Sequence, residues 1–421
     1  MENLDLSRNL LNGSIPPSMS EMRNLSFLDL SSNHLSGEIP SNWQGLEQLS
    51  IADLSNNTLS GGLPSYMCSL PSLNWLRLSS NNLSGELYIS LQNCSRSLYG
   101  LDLGENKFFG TIPITRGLTS LPYLILRANN LTGNIPEQLC RLPYLQILDL
   151  AYNNLSGPIP TCLGNLKGIK YMDIYLESRL RLMWKMIEFS RRVEIVVKGG
   201  RNEYTKTISL LRIIYLSGNS LMGEIPEEIT NLSALNVLSL SQNQLTGKIP
   251  ESSGSLNQLE ALDLSSNHLS VPIPPSMSFM TFLGHLNLSH NNLSGQIPSG
   301  NQLNTWNDPS IYAGNPYLCG PPLTTNCSST KDKNEEVEDE DGSEKFWFYI
   351  SVALGFIVGF WGVCGALMIK KSWRHAYFRS VDDMKDKLFV IITIYVARLE
   401  RKVDAKRLKW SSSALRYKTN L

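Results

Sequence analysis

The chain has 421 residues, 42% hydrophobic and 18% charged, and a single packed core, which rarely grows past roughly 250–300 residues, does not account for that length. Lys+Arg and Asp+Glu are equal at 37 each, which excludes an overall basic charge suited to nucleic acid. The balance is a cancellation: residues 1–330 net −4, residues 331–345 net −5 and residues 370–421 net +9, around an uncharged stretch at 346–369, the distribution of a chain that crosses a membrane.

From the N-terminus the first 300 residues repeat one unit, LxLxxNxLxGxIP, seen as LDLSRNLLNGSIP at 4–16, LDLSSNHLSGEIP at 28–40, LDLAYNNLSGPIP at 148–160 and LSLSQNQLTGKIP at 238–250. The phase is marked by Asn9, Asn33, Asn57, Asn81, Asn106, Asn129, Asn153, Asn219, Asn243, Asn267 and Asn291, spaced 24, 24, 24, 25, 23, 24, 66, 24, 24 and 24 residues apart. Such a period belongs to stacked coils, none of which buries its own leucines. The unit reads as an α/β-type leucine-rich repeat solenoid with a parallel β-sheet on its concave face, and the LxGxIP half resembles the plant-specific subtype. In LxxLxL the leucines alternate, so a short strand points them inward. The Asn amide bonds backbone groups that the following turn leaves unpaired, and the Pro fixes φ on the return path. Val271 in place of the repeat Gly and Tyr88 in place of the repeat Pro predict local distortion. Met1 begins inside a repeat strand with no signal peptide and no Cys cap before it, so the expectation is an N-terminally truncated chain.

Strand residues between the leucines face the concave side. Phe27, Ile51, Trp75 and Tyr123 share one column there, with Arg77, Tyr99, Glu105, Arg127 and Tyr152 beside it. Exposed aromatics and Arg are the residue types of binding hot spots, which predicts a ligand face; a ladder of bulky residues stacked only on one another is the competing reading.

The 66-residue spacing interrupts the array after residue 167. GIKYMDI at 168–174 still reads as a repeat strand, with Ile169, Met172 and Ile174 inward, but Glu177 stands where Asn is due. RRVEIVVK and EYTKTISL flank GGRN and predict a β-hairpin. Residues 168–212 hold ten Lys/Arg and five acids, and a loop this long in a compact array is usually functional. The expectation is an interaction flap for an acidic partner over 168–210, before repeats eight to eleven at 211–299.

Six of the seven cysteines precede residue 346, an even count that fits an oxidising compartment. Cys319 and Cys327 are expected to bridge and close the array within 300–330; Cys140 and Cys162 fall in adjacent coils and are placed to bridge, and Cys68 and Cys94 are similar but less in phase. Eleven N-x-S/T sequons precede the membrane stretch. Because the repeat itself writes NLS and NLT, Asn24, Asn93, Asn231 and Asn326 are the expected glycosylation sites.

Residues 346–369, FWFYISVALGFIVGFWGVCGALMI, span roughly 36 Å as a helix, enough for a hydrocarbon core of about 30 Å. Phe346, Trp347 and Tyr349 lie at one end and Lys370, Lys371, Arg374 and Arg379 after the other, which places the C-terminus in the cytoplasm and the repeats outside a plasma membrane crossed once. Gly355, Gly359, Gly362 and Ala366 share one helix face and predict contact with a partner helix. The basic tail at 370–421 has no kinase motif, and no HExxH, GxSxG or P-loop occurs anywhere, so neither catalysis nor a cofactor is expected.

The order of these parts resembles the plant receptor-like proteins: repeats, an island before the last four copies, NPYLCGPPLTTNC (315–327) like that family's cap, an acidic stretch at 331–345, one helix and a short tail. Within that family the resemblance is to the receptors for fungal ethylene-inducing xylanase. Lys198-Gly199-x-x-x-Glu203-Tyr204 is similar to the family's KG-containing island motif, and Phe189 stands where the family usually has Tyr. The resemblance implies a kinase-less defence receptor for an extracellular protein or peptide. An adaptor receptor kinase would join through the membrane helix, and a co-receptor kinase through the last repeats, where Tyr215, Gln242, His285 and His290 share a face. A decoy for cell-wall hydrolases, a developmental peptide receptor and a non-functional truncated copy are the alternatives.

Overall fold

The computed structural model describes residues 1–327 apart from 93, 95–97, 114–117, 119–120, 171–192, 198–199, 205–209, 301–302 and 304–305. The chain divides into Met1–Ser329 and Thr330–Leu421, and all described residues belong to the first unit. The acidic stretch, the predicted membrane helix with Gly355, Gly359, Gly362 and Ala366, and the tail lie outside the described residues. Among the described residues no helix is long and apolar enough to cross a membrane.

Each coil gives one three-residue strand to a parallel sheet of eleven, in chain order from Asn3–Asp5 to His285–Asn287. The central residue of most strands, such as Leu28, Leu76 or Leu148, is fully buried in one continuous apolar core, with Ala52 and Ile214 in that place in two strands, and its two neighbours face the other way. A second parallel sheet of nine strands runs along the LxG segments from Asn12–Gly13 to Gln244–Thr246. Ser270–Pro272, Asn292–Gln296 and Tyr317–Cys319 form a third. On the return path a one-turn 3-10 helix follows the repeat Pro, as Glu137–Arg141 follows Pro136. The third and fourth coils turn as α-helices instead, Ser65–Ser69 after Pro64 and Leu87–Leu91 where Tyr88 replaces that Pro, the latter with Leu87 and Leu91 buried.

The phase asparagines join the coils. Asn57 donates through Nδ2 to Leu54 O (3.2 Å) and Ser55 O (3.2 Å) in its own turn and to Leu30 O (3.0 Å) one coil back, while its Oδ1 accepts from Leu35 N at 3.0 Å. These are the backbone groups that a turn at the end of a strand leaves without a sheet partner. Asn315 repeats the pattern, donating to Leu288 O and Tyr312 O and accepting from Leu293 N, each at 3.0 Å. The cap therefore opens on a twelfth rung, one repeat length beyond Asn291 and not counted in the sequence reading.

The ladder also corrects the reading of the interruption. Ile147–Asp149 pairs directly with Ile213–Tyr215. Asn219 donates to Leu150 O and accepts from Leu155 N, each at 3.0 Å. Residues 168–170 therefore add no strand to the sheet: Lys167–Lys170 is a helical turn that buries Ile169, and Met172 and Ile174 lie outside the described residues. Without an Asn at Glu177 a rung there would leave buried carbonyls unpaired, so the coil is closed by Asn219 instead. The island hairpin pairs Val193–Val197 with Gly200–Tyr204, Val197 opposite Gly200. Gly200 thus stands in a strand rather than in the expected Gly-Gly turn.

The residue before each rung is left-handed, from Arg8 (φ 57°) through Glu105 (φ 53°) and Tyr152 (φ 55°) to His290 (φ 56°). Val271 has φ 66° where equivalent coils carry Gly, and a β-branched residue is strained there. Disulfides join Cys68 to Cys94, Cys140 to Cys162 and Cys319 to Cys327, with Cα separations of 4.6, 5.7 and 5.0 Å.

Asn219→Ala unpairs Leu155 N–H and three carbonyls and lowers stability by about 2–4 kcal/mol, read as a fall in the urea midpoint. Val271→Gly raises the same midpoint, by about 1 kcal/mol of relieved strain.

Candidate binding face

The two outward residues of each strand build the concave face as parallel columns. In the first column Phe27, Ile51, Trp75 and Tyr123 are between 1% and 5% exposed and pack with Ile147, Ile213, Val237 and Ala261. The expected row of exposed aromatic anchors is therefore a buried ladder, because neighbouring strands lie about 4.8 Å apart and bulky side chains in one column cover one another. Gly100 occupies the rung between Trp75 and Tyr123, and the Trp75 ring fills the space where a Cβ would stand. The two rings thus approach to 5.3 Å across it. Tyr99 packs half-buried against the same ladder. The buried Tyr123 hydroxyl has no hydrogen-bond partner among the described residues, and burial raises its pKa.

The second column is a carboxylate ladder that the sequence reading missed: Asp5, Asp29, Asp53, Asp102, Asp149 and Asp263. Its signal was the Asp of each LDL, recurring at repeat spacing. Each of these carboxylates accepts the backbone N–H two residues on, where a residue with an N–H faces it, as Asp53 does from Ser55 (3.0 Å) and Asp149 from Ala151 (3.1 Å). Arg77 enters the column as its counter-charge, with Nη1 2.8 Å from Asp53 Oδ2 and Nε 3.8 Å from Asp102 Oδ2. Arg77 is thus 9% exposed and holds the sheet together rather than standing free for a ligand. Arg127 Nη1 lies 3.8 Å from Asp149 Oδ2, and its guanidinium stands over the Tyr152 ring at 5.8 Å. Burial raises Asp149 to about 6, against the pull of Arg127 and the Ala151 N–H. Burial and the charge of Asp53 raise Asp29 to about 6, and burial raises Asp102 against Arg77.

Side chains remain accessible farther along. Tyr152 is 49% exposed, Gln242 and His290 are exposed and His285 is half-buried. Glu105 is half-buried and accepts from Ser80 Oγ at 2.8 Å. Glu105, Tyr152, Gln242 and His290 sit on the left-handed turn after the strand, not on the strand itself. Small residues at Ala151, Ser217, Ser239, Ser241 and Ala261 lower the floor, and a depression of about 100 Å³ opens there, walled by Arg127, Tyr152, Tyr215, Asp263 and His285. It gathers residues expected on two separate surfaces. Tyr215 contributes a wall at only 7% exposure. His285 and His290 also border a groove shared with Trp306 and Asp308 at the start of the cap. Tyr204 pairs with Val193 in the island hairpin, while Phe189, Lys198, Gly199 and Asn93 lie outside the described residues. Asn24, Asn231 and Asn326 are exposed.

This stack of coils, each giving one strand to a parallel sheet over a leucine core, defines a leucine-rich-repeat protein. Residues 209–269 match one leucine-rich-repeat family, and residues 1–22, 24–46, 48–70, 144–166 and 282–309 match another. The chain is 48% identical over 318 residues, 72% of its length, to receptor-like protein EIX2 of Solanum lycopersicum, and 45% identical over 76% of its length to EIX1 of the same plant. It spans 31% and 32% of the length of those two relatives. A crystal structure of a TDR receptor superposes with TM-score 0.57 at 32% identity, covering 71% of this chain and 44% of that one. The chain belongs to the plant leucine-rich-repeat receptor-like proteins.

A carboxyl whose pKa is raised in the fold favours folding fully below its unfolded value, roughly 3.9, and loses that advantage as pH rises through the folded value. For Asp149 and Asp29 the loss therefore falls between the unfolded value and about 6. The repeat region melts higher at about pH 5 than at about pH 7.5, each such carboxyl contributing on the order of 2 kcal/mol. Asp149→Asn, which keeps an acceptor for Ala151 N–H, flattens the dependence in calorimetric scans.

Proposed function

We propose that the chain is a kinase-less cell-surface receptor that binds an extracellular microbial protein on its concave face and signals in plant defence through partner receptor kinases. The observation that carries this reading is the 48% identity to EIX2 over 72% of the chain. The ligand seat is the depression walled by Arg127, Tyr152, Tyr215, Asp263 and His285, the part of the concave face where the buried ladder gives way to small residues. A rigid sheet supplies its floor, and an aromatic with a neighbouring Arg supplies the residue types of an anchor site. The groove by Trp306 and the island hairpin serve partner ectodomains. Residues 346–369 cross the membrane, and Gly355, Gly359, Gly362 and Ala366 meet an adaptor kinase helix, small residues letting two backbones approach in lipid.

The test uses the full chain in leaf tissue with a purified fungal xylanase as probe. Co-purification of the probe, and of a receptor kinase in its presence, is the expected result. Tyr152→Ala with His285→Ala weakens probe capture at least about tenfold, as truncation of anchor residues does. Gly355→Leu with Gly359→Leu reduces kinase capture and leaves probe capture intact. Equal probe capture by the Tyr152/His285 variant removes the concave seat. A response that survives deletion of 370–421 and is reproduced by the soluble repeat region favours a decoy module instead.

A further inference from the structure

The concave sheet ends at His285–Asn287, and past it the chain returns as a one-turn 3-10 helix, Pro309–Tyr312, instead of a further paired strand. The turn keeps the ladder in phase, with Leu288 N donating to Ile311 O at 2.9 Å and His290 N to Ala313 O at 2.7 Å. A helical turn cannot lie as close to a strand edge as a paired strand does, at about 4.8 Å. A groove of about 760 Å³ is left between the last strand and the cap, within the size range of ligand sites.

Its walls carry hydrogen-bonding groups that the fold does not use. Asn287 Oδ1 accepts from Ser289 N (3.1 Å) and Oγ (2.7 Å), while its Nδ2 makes no hydrogen bond among the described residues. Asp308 Oδ1 accepts from Ser310 N at 2.9 Å, which orients the carboxylate and leaves it with acceptor sites to spare. Asn307 is exposed beside it, and the rings of His285 and His290 make no hydrogen bond among the described residues. The His290 ring lies against Gly314, where a Cβ would stand 2.6 Å from Nδ1. Trp306 is half-buried, packed on the leucine core and bordering the groove. Among the described residues these walls hold no Lys or Arg, and Asp308 is their only carboxylate. An anionic ligand therefore gains no counter-charge there, and a lipid chain would strip water from polar walls without replacing it. What suits the set is a neutral molecule rich in hydroxyls. Each hydroxyl donates and accepts, matching amide, imidazole and carboxylate together, and the C–H face of a pyranose ring fits the negative face of an indole.

We infer that the groove between the last strand and the cap binds a neutral oligosaccharide, one pyranose ring lying on Trp306 and its hydroxyls held by Asn287, Asn307, Asp308, His285 and His290. The inference rests on the extracellular placement proposed above and names the chemistry by which this groove engages what it meets. Such a sugar comes either from wall polysaccharide or from the oligosaccharide of a partner glycoprotein.

The experiment is calorimetric titration of the full chain, purified from plant cells in detergent, with three probes: cellohexaose for the wall source, a released oligomannose glycan for the glycoprotein source, and hexagalacturonate as an acidic control. The expected result is saturable binding of a neutral sugar, the one that binds tighter identifying the source, with weaker binding of the acidic control. Trp306→Ala lowers the affinity about tenfold, and Trp306→Phe, which keeps a ring, lowers it less. Asn307→Ala, a change at an exposed residue, weakens binding several-fold with an unchanged melting midpoint. Unchanged affinity in the Trp306→Ala or the Asn307→Ala protein overturns the inference. So does no binding of either neutral sugar, tighter binding of the acidic one, or a sugar already attached to Asn287, which opens an N-x-S sequon. Any of these with xylanase capture intact leaves the receptor reading standing; sugar binding without xylanase capture keeps the groove and removes that reading.

Discussion

The whole array depends on one side chain repeated once per coil. A parallel stack of short strands satisfies the backbone within the strands, yet every coil must turn out of the sheet within a few residues and bury that turn against its neighbour. Asparagine alone carries, on a side chain this short, two donors and an acceptor in one plane. Each rung therefore serves its own turn and the previous coil together, as Asn57 does for Leu54, Ser55, Leu30 and Leu35. The leucines supply the hydrophobic drive but fix no spacing; the amide ladder sets the distance and phase at which they stack. The left-handed residue before each rung is the backbone cost of that geometry, borne even by Tyr152 and Glu105.

On this frame the concave face is less open than its residue types suggest. An isolated aromatic on a strand surface exposes most of its ring, but one in a column is covered by the rungs on either side. Trp75 and Tyr123 nearly meet across Gly100 and exclude water from each other. Asp29, Asp102 and Asp149 beside them are shielded in the same way, and burial favours their protonated form. Accessibility returns where the columns shrink to Ser and Ala, and the polar wall residues are left standing above the floor.

The repeat period, the strand positions and the inward leucines were legible in the sequence because each is a local pattern copied many times. The misreadings came where neighbouring coils decide the outcome. Residues 168–174 have the alternation of a strand but lack the Asn that would close a rung, and Lys167–Lys170 turns helically instead. Phe27, Ile51 and Trp75 were assigned correctly to one column, but burial depends on what the adjacent rung holds, and only pairing shows that. The Asp column and Asn315 stand in the sequence at repeat spacing, but a residue that matches the consensus carries no local sign of whether it pairs across coils or faces solvent. Tyr152 and Tyr215 wall the same depression because coils seven and eight pair directly across the insertion, a closeness in space that separation along the chain conceals.

That direct join has a consequence for how such a protein changes over generations. With Asn219 already bonded to both Leu150 and Leu155, the continuity of the ladder from coil seven to coil eight does not depend on the residues inserted between them. The number and kind of residues inserted there can change without unpairing the ladder, whereas a change at a rung asparagine unpairs two coils at once.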